Sequence, residues 1–206
     1  MKRTFIAAAA AVMAALILPA AAANIIDEWA SVKAPQPPAL KPVTVEARTT
    51  ALLMLDFMNQ NCGQRPRCLA SIPAMKKLLD QARAAQVLVI YSLIANTTTA
   101  DVIKDVAPRS GEPSVLSGPD KFFKTDLEKI LADKGIKTVI VAGTAANGAV
   151  LFTANSAALR GLNVIVPVDG MSAVDPFIEL STAVHMAAGP AIAAKATLTR
   201  SDMIKF

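Results

Sequence analysis

Apolar residues recur along this chain in two alternating rhythms. Short continuous runs have the length and β-branched content of strands buried on both faces: "ALLMLDF" (51–57), "VLVIYSL" (87–93), "KTVIVAG" (137–143) and "NVIVPVDG" (163–170). Between and after them, apolar residues fall three and four apart, the spacing of one helix face. These segments are "SIPAMKKLLDQARAAQ" (71–86), "KTDLEKILADKG" (124–135), "ANGAVLFTANSAALRG" (146–161) and "DPFIELSTAVHMAAG" (175–189). Ser71 is placed as the N-cap of the first. Gly135 and Gly161 close the second and third, and Pro176 sits in the first turn of the fourth. "SVL" (114–116) is expected as a short edge strand and "AKATLTR" (194–200) as a last strand, with a turn-rich loop at 95–113.

Strands alternating with helices predict a doubly wound, three-layer α/β/α fold with a mainly parallel sheet, Rossmann-like in topology. Ligands in such folds bind outside the carboxyl ends of the strands. The candidates are therefore Asp56, Tyr91 and Ser92, the turn from Gly143 to Asn147, and Asp169. Asp56 is the sharpest of them, because a carboxylate ending an apolar strand is partly desolvated and suited to proton transfer. The plainer reading of Asp56 is a cap on the following turn. No GxGxxG or Walker A pattern follows a strand, so no nucleotide cofactor is expected.

The N-terminus changes the compartment. Lys2 and Arg3 precede the apolar run "FIAAAAAVMAALILP", and "AAAAN" offers a cleavage site after Ala23. Residues 1–23 are read as a signal peptide, 24–48 as an N-terminal arm whose Pro-rich stretch follows Trp29, and 49–206 as the main domain. The expected location is the periplasm, with no stable membrane insertion after cleavage. Removing 23 of 206 residues leaves enough chain for one domain with a sizeable core. The formal charge of +5 includes Lys2 and Arg3, aromatics make up 4%, and no run of five basic residues occurs. Nucleic acid is not an expected partner. Export also bears on Cys62 and Cys68, the two cysteines of the chain. In an oxidising compartment they are expected to pair as a disulfide. A lone C-x5-C is a poor metal site, and no metal is expected.

One ordered set of residues is specific. Asp56 ends the first strand; Phe122, Thr125 and Leu127 form F-x-x-T-x-L; Gly143 opens a turn; Thr153–Ala154 lie mid-helix; Asp169 ends a later strand. Over about residues 49–200 the chain resembles the isochorismatase-like, or cysteine hydrolase, family. The resemblance implies a triad of Asp, Lys and Cys, a turn that commonly holds a non-proline cis peptide, and homo-oligomers acting on a small-molecule substrate. Only the Asp carries over directly, as Asp56. The family Lys falls at or near Leu116 and the family Cys at Ala149, while Met58 stands where Gln is common. Lys121 could reach the site, but is read first as a solvated lysine at a helix start. Metal-binding members carry an Asp and two His; the one histidine here, His185, is expected to be partly buried and structural.

The candidate site is thus Asp56, Lys121 and the Ala149 position for catalysis, with Tyr91, Thr144, Ala145 and Asn147 for substrate and backbone N–H groups of the turn facing it. A thioester mechanism is excluded at an alanine. Isochorismatases proper, which the family resemblance includes, have a small residue there: their Asp protonates the carbon of a vinyl ether and water attacks the resulting cation. Vinyl-ether or C–N hydrolysis resting on Asp56 is one reading. The other is a catalytically inactive small-ligand-binding or assembly protein, suggested by two missing triad positions. On that second reading Asp56→Asn raises the stability of the fold by removing a partly buried charge.

Overall fold

The structure is a computed structural model that describes residues 24–206. The expected signal peptide, residues 1–23, lies outside the described residues. The described residues fall into two units, one ending at Ala34 and the other Pro35–Phe206. In the first, Asn24 caps the short helix α1 (Ile25–Glu28) by accepting from the N–H groups of Ile26 and Asp27, and Trp29–Ser31 add one 3-10 turn.

The second unit is built on parallel strands. β1 (Val43–Thr44) pairs with β9 (Ile204–Lys205) in a small separate sheet. The main sheet contains β2 (Thr50–Leu55), β3 (Leu88–Leu93), β4 (Ser114–Leu116), β5 (Thr138–Thr144), β6 (Asn163–Pro167) and β8 (Ala196–Thr199). Their spatial order is β4-β3-β2-β5-β6-β8, all parallel, and β7 (Met171–Ser172) pairs with the end of β5. The helices are α2 (Pro66–Ala84), α3 (Leu127–Asp133), α4 (Leu151–Leu159) and α5 (Pro176–Ala188). None of the described helices is long and apolar enough to cross a membrane.

Side-chain alternation along the strands sends apolar groups to both faces of the sheet. Leu52 and Met54 of β2 join α2 in one core, with Met75, Leu78 and Leu79. Ala51, Leu53 and Leu55 join the other core, with Leu127 and Leu131 of α3, Ala154 and Ala157 of α4, and Ala183 and Met186 of α5. The expected three-layer α/β/α fold is the one observed.

The expected start of α2 is corrected. Its first residue is Pro66, not the residue after Ser71. Ser71 is buried inside the helix and its hydroxyl donates to the Cys68 carbonyl. Pro66 suits a first helical position, where no N–H is needed. The helix thus reaches back to Cys68, which the expected disulfide joins to Cys62, with both cysteines fully buried.

Candidate active site

Strand order brings three carboxyl ends side by side. In register, Leu55 of β2 lies beside Ser92 of β3 and Gly143 of β5. Residues beyond these positions and at the end of β4 line a cavity of about 490 Å³, among them Asp56, Arg65, Leu116, Ser117, Thr144 and Ala149.

Gly143 is required by close approach. A Cβ there would lie 2.2 Å from the Leu55 carbonyl oxygen, at a φ of +154°. Next, the Thr144–Ala145 peptide is cis, as the resemblance implies for this turn. Ala146–Val150 form a single wide π-helical turn before α4, with Gly148 in a non-helical conformation. The N–H groups of Gly148 and Val150 both donate to the Ala145 carbonyl. Those two donors are therefore engaged within the turn rather than offered to the cavity.

Asp56 adopts a left-handed conformation with φ +56°. Asp is one of the few residues with a Cβ that adopts this region readily, because its short polar side chain can hydrogen-bond locally. Its backbone N–H donates to Ser92 Oγ at 3.1 Å, and the Ser92 hydroxyl donates to Asp56 Oδ1 at 2.5 Å. Ser92, one of the strand-end candidates, thus clasps the Asp on two sides.

Lys121 is the main correction. It is 1% exposed, not solvated. Its Nζ lies 2.8 Å from Asp56 Oδ1 and 2.7 Å from Oδ2, and donates to the Gly118 carbonyl at 2.9 Å. Asp56 is therefore a paired charge. The F-x-x-T-x-L motif explains how the lysine is held. Thr125 donates its hydroxyl to the Lys121 carbonyl at 2.5 Å. Phe122 and Leu127, on either side of Thr125, anchor the segment in the core. From α4, Thr153 Oγ1 accepts the Lys121 N–H at 3.2 Å, and Ser156 donates to Asp120 at 2.6 Å. Leu116, the expected Lys position, is on edge strand β4, 59% exposed, and lines the cavity.

Other expectations divide. Thr144, Ala145 and Ala149 line the cavity, and Ala149 is buried. Asn147 does not line it: the π turn leaves that residue exposed. Tyr91 does not line it either. Successive strand residues face opposite ways, so with Ser92 directed at Asp56, Tyr91 enters the α2 core. Its hydroxyl donates to the Val106 carbonyl at 2.8 Å and accepts from Arg83 at 3.2 Å. Burial pushes the Tyr91 phenol well above its ordinary range, with the Arg83 guanidinium pulling the other way. His185 is exposed on α5, not partly buried. Asp169 accepts from the N–H and hydroxyl of Ser201, fastening the C-terminal segment. Met58 is fully buried.

Arg65 and Ser117 are among the lining residues that were not anticipated from sequence. Arg65 closes the Cys62–Gln64 turn, and its Nη1 donates to Thr144 Oγ1 at 3.0 Å. Its place in the short loop after Asp56 was the available signal. Ser117 follows edge strand β4, and its buried Oγ has no hydrogen-bond partner among the described residues.

Comparison with known proteins agrees with this fold. A family model described as the isochorismatase domain matches residues 50–199. The "secreted isochorismatase effector Isc1" of Verticillium dahliae is 26% identical over 161 residues, covering 71% of this chain and 85% of that one. The Bacillus subtilis protein YaaI, an uncharacterized isochorismatase family protein, is 26% identical over 141 residues, covering 58% and 78%. Among solved structures, a cysteine hydrolase from Pseudomonas syringae superposes with a TM-score of 0.69 at 22% identity, covering 80% of this chain and 94% of that one. N-carbamoylsarcosine amidase from Thermoplasma acidophilum gives 0.65 at 23% identity, covering 75% and 97%. At these identities the superpositions speak for the fold.

Proposed function

We propose, for a chain that belongs to the isochorismatase domain family, that it is an exported hydrolase working through Asp56 and Lys121 without a covalent intermediate. The observation that carries this reading is the Lys121 ammonium bound to both oxygens of Asp56 in the wall of the cavity that Ala149 also lines. An Asp and a Lys stand together as the family triad has them, and Ala149 stands where its Cys would be. Inactivity was suggested by two missing positions; the Lys121 contact leaves only one of them missing.

Ala149 directs the chemistry. With no thiol, an amide or imide cannot be attacked through a thioester. Acid–base hydrolysis remains, with vinyl ethers favoured and C–N substrates second. Asp56, which takes up a proton before this step, delivers it to the enol-ether carbon, and the adjacent carbon becomes an oxocarbenium ion. Water adds to that carbon and gives a proton back to Asp56, and the hemiketal collapses to a ketone and an alcohol. Lys121 orients the carboxylate and balances its charge as the proton moves. The methyl side chain of Ala149 leaves room for substrate or water where a longer side chain would project.

Export is supported by three features: the Lys2–Arg3 leader with its apolar run, the buried Cys62–Cys68 disulfide, and likeness to a fungal protein described as secreted. We place the mature chain in the periplasm, as a homo-oligomer acting on a small molecule.

The test is turnover by the mature chain on a panel of vinyl ethers, amides, imides and ureides. Wild type should hydrolyse at least one vinyl ether. Asp56→Asn and the charge-free pair Asp56→Asn/Lys121→Met, both verified as folded at the assay temperature, should be blank. A wild type inactive across the panel, or an active Asp56→Asn, overturns the reading in favour of a binding protein on the same fold.

A further inference from the structure

The described arginines fall into two groups. Arg67, Arg83, Arg160 and Arg200 each hold a carboxylate, on Glu179, Glu112, Glu128 and Asp202. Arg48, Arg65 and Arg109 hold none among the described residues. Arg48 and Arg109 are exposed to solvent, whereas Arg65 is half-buried in the wall of the active-site cavity. A half-buried guanidinium without a counter-ion is costly unless something pairs with it. Asp56, the acidic residue lining this cavity, is already matched by Lys121.

Arg65 is also held with unusual firmness for a loop residue. Its N–H donates to the Cys62 carbonyl at 3.0 Å, and Pro66 follows at the first position of α2. A residue before proline is confined to extended conformations, and Arg65 has φ −122° and ψ 107°. Cys62 before it and Cys68 after it are fully buried and joined. At the far end, Nη1 donates to Thr144 Oγ1, and the Thr144 hydroxyl donates onward to the Ser172 carbonyl at 3.3 Å. This is its one side-chain hydrogen bond to a described residue, out of five N–H donors. A second unpartnered polar atom, Ser117 Oγ, belongs to the same cavity wall. Ile94, Ala95 and Leu116 supply apolar lining.

We propose that Arg65, fastened by the Cys62–Cys68 loop and by Thr144, is the specificity-determining residue of this site and receives a carboxylate of the substrate. The planar guanidinium fork matches a carboxylate in two parallel hydrogen bonds. The substrate class is then a small organic acid with an apolar middle, whose carboxylate lies on Arg65 and whose reacting group lies at Asp56. This deepens the hydrolase reading and depends on it only for the reacting end.

Binding separates the two. The probes are benzoate and pyruvate against their neutral amides, benzamide and pyruvamide, with inorganic phosphate as a third arm, titrated calorimetrically into the mature chain. Wild type should bind at least one acid more tightly than its amide and more tightly than phosphate. Arg65→Met should weaken that acid by about tenfold or more and leave the amide unchanged. Arg65→Lys should recover only part of the loss, because an ammonium cannot form the fork. Cys62→Ser/Cys68→Ser, still folded by circular dichroism, should lose acid-over-amide selectivity several-fold. The proposal is overturned if neither acid binds wild type, if phosphate binds as well as the acids, or if Arg65→Met binds the acid as wild type does. Asp56→Asn/Lys121→Met should retain selective acid binding, so a failed turnover test and a failed carboxylate test remain distinct results.

Discussion

Lys121 Nζ meets both oxygens of Asp56, 65 residues earlier in the chain, with the two side chains 1% and 8% exposed. A buried pair is weak evidence for stability, but breaking it strands a charge, which costs about 3–5 kcal/mol. Lys121→Met and Asp56→Asn are each expected to destabilise the fold by that order. The double variant should cost clearly less than their sum, since it leaves no orphan. Urea unfolding of all four proteins checks this. An Asp56→Asn variant more stable than wild type would show that the pair does not form in solution.

Gly143 tests how closely β5 and β2 meet behind Asp56. A methyl group there would be 2.2 Å from a backbone oxygen and 2.6 Å from Leu55 Cβ, neither of which can swing away. Gly143→Ala should cost about 3 kcal/mol or more. Gly111 has φ +87° but nothing within 4 Å, so Gly111→Ala should cost about 1 kcal/mol from backbone conformation alone. Comparable denaturation midpoints for the two variants would contradict the steric account.

The Ala149 position can be probed without knowing any substrate. The chain has two cysteines and both are in the disulfide, so Ala149→Cys introduces a single free thiol. It should fold within about 1 kcal/mol of wild type, because the added atom has the cavity to occupy. Iodoacetamide should add one label by mass spectrometry, and wild type none. A folded variant that resists labelling would place residue 149 away from the cavity.

Tyr91 predicts a pH dependence. Its phenol is raised above an unfolded-state value near 10. The folded state therefore favours the protonated form. The corresponding stability is present below pH 10 and is lost as the pH climbs from there toward the folded value. Unfolding midpoints should fall as the pH rises above 10 in wild type, and fall less in Tyr91→Phe. Removing the hydroxyl should also cost about 1–3 kcal/mol at neutral pH, since the Val106 carbonyl loses its donor. Identical pH profiles for the two proteins would remove Tyr91 as the cause.

Much of this molecule was legible in its amino-acid order. Runs such as "ALLMLDF" and "KTVIVAG" must be buried on both faces, and that requirement predicts central parallel strands flanked by helices. Asp56 at a strand end, Gly143 in the turn and the Cys62–Cys68 pair are local features, and local pattern was enough to pick them out. The partner of Asp56 was not local. A lysine belongs to a site by where its ammonium arrives; Lys121 is held locally by Thr125, and its contact with Thr153 is made only when α4 packs beside it. Counting back along the motif pointed instead to Leu116, a cavity-lining residue with no charge. Tyr91 and Asn147 failed for a related reason. Being next to a strand end does not decide direction; strand parity turned Tyr91 into the opposite core, and the π turn left Asn147 exposed. Arg65 became visible only when β5 brought Thr144 within 3.0 Å of the disulfide loop. Sequence alone determined the layers and one acid of the site. Tertiary packing decided which cations face it, because charge pairing depends on distances of a few ångströms between segments that are far apart in the chain.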